Sequence, residues 1–474
     1  MTSKSSATSE RRNVLGFLVG VIIIGFLSSP ILEDGRQALS VTIFASTILG
    51  TLMFWRFRLG VAVLGISVLL ITNTLDIEHM LRFMSLDVII FLVGTMIIVG
   101  LLREAHFFEW LNDLILRASG QSARKLWLLN MLLAFLMSAL IGEVASIIFV
   151  VTMILSLSEK FEFNPVRYII SAVLVTNIGS AATLLGNPVG ILIAFRGNLT
   201  FEDFLRWASP VAVLGLLAFL PVGLAWSRKD LRIFQQKLAP PSSKTGISIT
   251  GFPMTASEKR FLRASIGLFI VFILLVSFHS RLEAILWLAK DTMILVGSLL
   301  VAGVILLWRR FKAREYVEKE VEWWTLMFFL FLFAVAGALE FTGVTDRLAD
   351  AMVELTGGNI LGAITLMLWI ATWGSAFLDN VVLVAAFIPV VHALGSSGIT
   401  AFPLWWALLF GGTFGGNITL IGSTANIVAL GLLEKHRKIS VSFFEWFKIG
   451  VIGGIVPILI GLVMILIQLP LMPR

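Results

Sequence analysis

Cysteine does not occur among the 474 residues. Its absence excludes a disulfide framework, a thiolate metal site and a cysteine nucleophile. The five histidines are scattered without HxxH or HExxH spacing, so a zinc or di-metal site has no support. The Gly-rich segments contain no GxxxxGK[ST] phosphate loop, which argues against pumping driven by a nucleotide. We therefore expect neither an enzyme nor a cofactor.

Charged residues are also sparse. They make up 14% of the chain, hydrophobic residues make up 58%, and the mean hydropathy is +0.96, whereas soluble domains are about half apolar and a quarter charged. Apolar runs near the ~20 residues that cross a bilayer as a helix recur along the whole sequence. The chain is predicted to be an all-α polytopic membrane protein without a cleavable signal peptide or a separate soluble domain.

The basic residues indicate orientation. The net charge is +7, but the Lys and Arg side chains lie in short loops between apolar runs, so nucleic-acid binding is not expected. Counted from a cytoplasmic N-terminus, the inside loops receive most of them, as the positive-inside rule requires. We expect a multi-pass protein of the plasma (inner) membrane with its N-terminus in the cytoplasm and its C-terminus outside.

Two apolar cores, 126–157 and 359–395, are too long for one crossing and carry polar residues near their middle. Each is predicted to be a re-entrant hairpin, because irregular backbone at membrane depth is tolerated only inside protein or beside a water-filled cavity. The eleven predicted single crossings are 15–32, 38–55, 60–75, 86–102, 168–195, 208–226, 264–278, 292–308, 323–339, 403–432 and 449–469.

One long polar connector divides the chain. Within it, Pro240, Pro241, Ser242 and Ser243 indicate flexible chain. We predict a first half-repeat at 1–226, a cytoplasmic linker at 227–259 and a second half-repeat at 260–474.

The halves share a sequence pattern. Ser138-Ala recurs as Ser375-Ala at an offset of 237, and "TLLGNPVGI" from Thr183 matches "TLIGSTANI" from Thr419 at 236. The same order at a nearly constant offset indicates an internal duplication. Because an odd number of crossings separates equivalent points, the copies are predicted to be inverted, as in secondary transporters that alternate access around a midplane site of broken helices.

Two acids interrupt the predicted hairpins: Glu143 in "SALIGEVASIIFVV" and Asp379 in "SAFLDNVVLVAA". A charge at the bilayer centre costs ~3 kcal/mol or more, so such residues face a cavity and serve a function by default. The repeat pairs Glu143 with Asn380, so each half supplies one carboxylate. Asp379 or Asn380 alternatively caps the returning helix, a role compatible with an ion site.

A second interruption follows in each half, "TNIGSAATLLGNPVG" from 176 and "TFGGNITLIGSTAN" from 413. Glycines let backbone groups turn toward a ligand while hydroxyls and side-chain amides complete its coordination. Packing of small residues between helices is the alternative, but it does not require the four amides Asn177, Asn187, Asn417 and Asn426. One carboxylate per half suits exchange of protons for a small cation or a neutral polyhydroxy solute, and suits a permanent anion less well.

These segments carry a family resemblance. The second half, "FAVAGALEFTGVTDRLADAMVELTGG" followed by "SAFLDNVVLVAAFIPVV" and "GGNITLIGSTANIVALGLLEKH", resembles the arsenite-pump and NhaD-type sodium/proton antiporter group of the ion transporter superfamily, near its pigmentation P protein branch. The resemblance covers about residues 60–470. The layout is more distantly similar to sodium-coupled dicarboxylate and citrate carriers, which implies eleven crossings, two re-entrant hairpins, scaffold and transport domains, and an elevator motion of a homodimer.

The resemblance also implies the site. The residues that it places around the substrate and coupling ion are Ser138, Glu143, Asn177, Ser180, Thr183 and Asn187 in the first half and Asp379, Asn380, Asn417, Thr419, Ser423, Thr424 and Asn426 in the second. Ser375, the counterpart of Ser138, completes the predicted set. Many relatives carry an Asp-Asn or Asn-Asp pair at the first tip, where this chain has Gly142-Glu143.

The sequence thus predicts a proton-coupled secondary transporter, foremost an efflux antiporter for arsenite or a similar small inorganic solute. Glu143 and Asp379 would cycle protons while amides and hydroxyls hold the solute. A sodium/proton antiporter is the first alternative, with Na⁺ as the one metal expected, and a sodium-coupled dicarboxylate or anion carrier is the second. A channel belongs to a different class, which saturable exchange would exclude.

Overall fold

Helices account for all regular secondary structure in the described part of the chain. The computed structural model describes residues 2–28, 34–238 and 254–473. The first helices are α1 (Thr2–Ser28), α2 (Gly35–Met53), α3 (Arg58–Ile71), α4 (Ile77–Phe83), α5 (Leu86–Glu104), α6 (Phe107–Ser119), α7 (Ala123–Ile141), α8 (Glu143–Lys160), α9 (Val166–Ser180), α10 (Pro188–Gly197) and α11 (Phe201–Trp226). The others are α12 (Arg228–Leu238), α13 (Ala256–Ser277), α14 (His279–Leu286), α15 (Thr292–Trp308), α16 (Trp323–Phe341), α17 (Val344–Thr356), α18 (Ile360–Phe377), α19 (Asn380–Ser396), α20 (Ala401–Gly415), α21 (Thr424–Arg437) and α22 (Phe443–Gln468).

Seven helical stretches of the described chain are long and apolar enough to cross a bilayer. Shorter apolar helices add to them, including α15, α20 and the two pieces α9 and α10 of one predicted crossing. Together they confirm the all-α polytopic fold, with the count of eleven crossings as an approximation. A break between Leu286 and Thr292 confirms that one span begins after Lys290 and Asp291.

Both predicted hairpins are interrupted at their acids. Helix α7 ends at Ile141 and α8 begins at Glu143, and α18 ends at Phe377 and α19 begins at Asn380. Both predicted broken helices are also present, with gaps at 181–187 between α9 and α10 and at 416–423 between α20 and α21.

The duplication is visible in the helix bounds. The pairs α5 and α16, α6 and α17, and α7 and α18 begin at positions 237 residues apart, and so do α8 and α19. The first two pairs also end 237 residues apart. Equivalent segments of the two halves therefore fold alike.

The described residues pack as two units. Unit 1 takes its members from 1–89, 322–363 and 382–401, and unit 2 from 90–321, 364–381 and 402–474. Both units draw on both sequence halves, and the division at 227–259 stays a prediction. In unit 1, Ile66 and Leu69 of α3 pack against Ala334 and Ala338 of α16, and Gly337 lies so close to the ring of Phe83 that no side chain would fit.

Helix α12 occupies part of the predicted linker and packs within unit 2. The residues Pro240–Ser243 lie outside the described part of the chain, but Leu231, Phe234 and Leu238 are buried on one face of α12. Phe234 stacks on Phe163 at 4.4 Å between ring centroids. The sequence interpretation missed this helix, because the linker is polar overall and only a spacing of three to four residues marks its apolar face.

Helix α12 also holds both ends of the first hairpin. Gln235 accepts a hydrogen bond from the Ala123 N–H at 2.8 Å and donates one to the Gln121 carbonyl at 3.0 Å. At the other end, Lys237 pairs with Glu162 at 2.9 Å.

Candidate functional site

The first hairpin tip is a tight turn that places an acid inside unit 2. Gly142 has φ +100°, a conformation that favours glycine. Glu143 follows it, is buried, and donates its backbone N–H to the Gly186 carbonyl at 2.9 Å. The Ser138 hydroxyl donates to the Thr176 carbonyl at 2.7 Å. The tip is therefore fixed to the break between α9 and α10.

The second tip places Asp379 in an equivalent setting. Its Oδ1 accepts the Val381 N–H at 3.0 Å, and its Oδ2 accepts the Thr424 hydroxyl at 2.9 Å. Asp379 thus caps the start of α19, as the capping interpretation expected, and also contacts the start of α21. The Ser375 hydroxyl donates to the Gly412 carbonyl at 2.5 Å, which repeats the bond made by Ser138.

The broken helices repeat one hydrogen-bond design. The hydroxyls of Thr183 and Thr419 donate to the carbonyls of Ala139 and Ala376, respectively. Each bond joins the gap of a broken helix to the end of the hairpin helix beside it.

The downstream helices α10 and α21 begin with matching caps. The side chain of Asn187 accepts the Gly190 N–H, and that of Ser423 accepts the Ala425 N–H. Side-chain oxygens at this position satisfy amides that a helix start leaves unpaired.

Glycines permit the close approach of these segments. A Cβ on Gly179 would lie 2.8 Å from the Phe135 Cα, and one on Gly415 would lie 2.9 Å from the Thr372 Cα. Gly186 and Gly422 approach the backbone of residues 180 and 416 in the same way. Any side chain at these positions would force the broken helices apart.

Three buried amides join the two repeats inside unit 2. Asn177 Nδ2 donates to Asn417 Oδ1 at 2.8 Å and to Asn426 Oδ1 at 2.9 Å. Asn177 Oδ1 accepts the Ser423 hydroxyl at 3.2 Å. Asn417 donates further to the carbonyls of Leu174 and Gly453. We call Asn177, Asn417 and Asn426 the amide cluster.

Beside the amide cluster lies a group of polar atoms without protein partners. The Glu143 carboxyl group faces the side chains of Ser180, Asn187 and Asn380 and lies within electrostatic range of Asp379. Its Oε2, together with Oδ1 and Nδ2 of Asn380, is buried without a hydrogen-bond partner. Because buried polar groups are normally paired, these atoms are where the protein offers coordination to a ligand.

The electrostatics of this site favour a cation. Glu143 and Asp379 are 2% and 5% exposed, and no Lys or Arg of the described part of unit 2 is buried. The described residues include no group of three His, Cys, Asp or Glu side chains suited to a metal ion. The site offers carboxylate, amide and hydroxyl oxygens, which suit protons and hard monovalent cations.

All fourteen residues predicted to form the site belong to unit 2, and thirteen of them are buried. Thr424 is partly buried. The hydroxyls of Ser138, Thr183, Ser375 and Thr419 donate to backbone carbonyls and so hold the architecture. Sequence reasoning missed Thr176 and Thr413, whose buried hydroxyl oxygens have no partner; each is the first residue of a Gly-rich segment already identified as an interruption.

A solved structure shares this fold. The YdaH transporter of Alcanivorax borkumensis aligns with a TM-score of 0.53, 12% identity, and coverage of 86% of this chain and 89% of that one. Together with the family model and the relatives described next, these interrupted helices define the class as a membrane transporter. Within this class, the chain belongs to the citrate transporter family, whose model, described as "CitMHS: Citrate transporter", matches residues 43–411.

Relatives support the same assignment. An uncharacterized transporter of Mycobacterium tuberculosis is 32% identical over 370 residues, which cover 77% of this chain and 82% of that protein. The human P protein is 26% identical over 467 residues, covering 83% of this chain and 54% of that protein. This match confirms the expected similarity to the P protein.

Proposed function

We propose that the protein is an ion-gradient-driven secondary active transporter, specifically a proton-coupled efflux antiporter for arsenite or a similar small inorganic solute. The observation that carries the proposal is the buried pair Glu143 and Asp379 beside the unpartnered Asn380 amide. Two acids in one apolar setting disfavour two negative charges. A proton or a cation must therefore accompany them, which couples the site to an ion gradient.

Substrate charge follows from the same site. Without a buried Lys or Arg in the described part of unit 2, a permanently anionic solute would meet only negative or neutral groups. Neutral arsenous acid requires no counter-charge, and its hydroxyls match the carboxylate and amide groups around Glu143. Antiport follows when proton binding and solute binding exclude each other at these acids.

Two other substrates are supported by separate observations. The oxygen-rich surroundings of Asp379 and Asn380 favour a sodium/proton antiporter. The family model's description favours a citrate or dicarboxylate carrier, in which a bound cation would offset the acids. Both alternatives retain Glu143 and Asp379 as the ion-coupling residues, with the other twelve predicted site residues either lining the solute or holding the broken helices around it.

The transport cycle and setting are part of the proposal. The chain would lie in the plasma (inner) membrane with a cytoplasmic N-terminus and an external C-terminus, as a homodimer. Its inverted halves, 1–226 and 260–474, would build the site, and the site would move across the membrane in an elevator motion.

A proteoliposome panel tests the proposal. Arsenite, Na⁺, Li⁺, citrate and dicarboxylates are offered under an imposed pH gradient, with proton flux read by an internal dye. We expect saturable, arsenite-dependent proton flux. Proton flux that requires Na⁺ or Li⁺ would select the first alternative, and uptake of citrate would select the second. Flux that neither saturates nor exchanges would identify a channel and contradict the proposal.

A further inference from the structure

Polar side chains run between α7 and α9 of the first repeat, away from the tip. Asn130 Nδ2 of α7 donates to the Tyr168 hydroxyl of α9 at 2.5 Å. The Trp127 ring lies 6.5 Å from the Tyr168 ring, centroid to centroid. Two helical turns farther along, Thr176 of α9 lies beside Ser138 of α7. We call Trp127, Asn130, Tyr168 and Thr176 the polar lane.

Most of the polar lane is incompletely paired. Trp127 Nε1, Asn130 Oδ1 and Thr176 Oγ1 are buried and have no hydrogen-bond partner in the protein. Leaving such atoms unpaired in a dry interior is unfavourable. Buried water is the usual partner of polar atoms in such positions. At the inner end of the lane, Glu143 Oε2 is also unpartnered.

The spacing of the lane suits single water molecules. Asn130, Ala134 and Ser138 follow one another on one face of α7, about 6 Å apart along the axis. Ser146 of α8 lies at the middle level, where its hydroxyl donates to the Ala134 carbonyl at 3.2 Å. One water that bonds to both neighbours spans about 5.6 Å. At the middle level, α7 presents only the methyl group of Ala134, which is fully buried.

The second repeat supplies an internal comparison. At the offsets of 236 and 237, the four lane positions become Ile364, Met367, Leu404 and Gly412, and the first three are buried. The same helices therefore pack well with apolar residues at these positions. Trp406 and Thr413 of α20 also carry unpaired buried groups, but the α18 positions that face them in the repeat alignment, Ile364 and Met367, offer no polar atom, and the Trp406 ring packs edge-on to two phenylalanines. Packing alone does not require the lane.

We propose that the polar lane is a hydrated proton pathway between the Arg124 and Lys125 end of the first hairpin and Glu143. It deepens the proposed function and rests on it. In the efflux cycle, the Glu143 carboxyl group gives its proton to the adjacent water of the lane when the site faces the cytoplasm, and Glu143 remains as a carboxylate. The excess proton passes along hydrogen-bonded water to the Arg124 and Lys125 end, which the charge bias assigns to the cytoplasm, and leaves there as a hydronium ion.

Few charged groups of the described chain lie near Glu143. Those on the elements around it are Arg124 and Lys125 of α7, Glu159 and Lys160 of α8, Arg167 and Tyr168 of α9, Arg196 of α10, Asp379 at the second tip, His392 of α19, and Glu434, Lys435, His436 and Arg437 of α21. Apart from Asp379, the carboxylates and basic groups lie at helix ends remote from the tip. Asp379 is thus the charged residue that interacts electrostatically with Glu143. The four residues of the lane carry no charge.

Silver-ion accessibility tests whether the lane holds water. The chain has no native cysteine, so Ala134→Cys and its repeat counterpart Ala371→Cys give single thiols at two fully buried positions. Ag⁺ is added in chloride-free buffer from the basic side, and unreacted thiol is titrated after denaturation. We expect Ala134→Cys to react and Ala371→Cys to stay protected. Reaction of neither thiol would show dry packing, and equal reaction of both would show an accessibility unrelated to the lane; either result would overturn the proposal.

Replacing lane residues tests proton transfer. Asn130→Met and Thr176→Val introduce apolar groups, the first being the residue of the second repeat. We expect proton-coupled flux to fall about tenfold in both variants, while solute-for-solute exchange at fixed pH stays unchanged in Asn130→Met, which lies away from the site. Unchanged flux in both variants would overturn the pathway. A different pair of results would be a reactive thiol in Ala134→Cys together with no proton coupling in the wild-type protein. That pair would overturn the proposed function and still show that the lane holds water.

Discussion

The two repeats share a backbone design and differ in their polar side chains. Ser138 and Ser375, Thr183 and Thr419 make the same bonds at equivalent places, but Glu143 stands opposite Asn380. The shared groups fix the tips and the broken helices. In the proposed function, the groups that differ between the repeats are the ones left for ions and solute. Each prediction below tests this division between shared structural groups and differing functional groups.

The largest effect is expected at Asp379. Asp379→Asn removes the charge and keeps the shape, so the tip folds but coupling is lost, with proton-coupled flux reduced by about 100-fold or more. Flux in proteoliposomes and yield of monodisperse protein in detergent measure the two outcomes. Asp350→Asn, at an exposed position of α17, is the matched control and keeps normal flux. Normal coupling with an unchanged pH profile in Asp379→Asn would remove this residue from the mechanism.

The glycines of the broken helices come next. Gly186→Ala and Gly422→Ala both place a methyl group against backbone, which overpacks the core at about 1–3 kcal/mol each. Thermal unfolding in detergent should show similar losses for the two repeats. Gly267→Ala in α13, where nothing lies within 4 Å of the new methyl group, is the control. A loss in one repeat alone would mean that the shared backbone design is not equally important in both.

The paired threonines give a smaller, symmetric effect. Thr183→Val and Thr419→Val each remove a hydroxyl that pairs a buried carbonyl, at about 1 kcal/mol. Thr152→Val, whose hydroxyl is exposed, controls for the general effect of the change. Stability measurements that show no difference between the buried and exposed positions would contradict a structural role for these bonds.

The smallest effect is expected at the contacts between α12 and the ends of the first hairpin. Gln235→Ala removes two hydrogen bonds from α12 to the segment that begins α7 and should cost about 1 kcal/mol. Lys237→Ala breaks an exposed ion pair, which contributes about 0–1 kcal/mol. Hydrogen exchange at residues 121–126 should rise more in Gln235→Ala than in Lys237→Ala. The reverse order would mean that the ion pair, and not the Gln235 hydrogen bonds, holds this segment in place.

Much of this architecture could be predicted from sequence, for physical reasons. Asp379 and Glu143 stand out because a bilayer excludes charge, so their apolar surroundings alone mark the tips. The repeat gave the correspondence of broken helices. Helix α12 was missed because its apolar face is only three residues wide in a polar stretch. The partners of Asn177 could not be predicted, since a 240-residue separation from Asn417 leaves no local trace.

The amide cluster limits how this transporter can move. Pulling the two repeats apart at Asn177 would strand the amides of Asn417 and Asn426 in a dry interior, at about 1–3 kcal/mol for each unpaired group. These bonds disfavour a hinge between the two repeats at this point. In the proposed elevator motion, the two half-pockets would therefore move together as one piece.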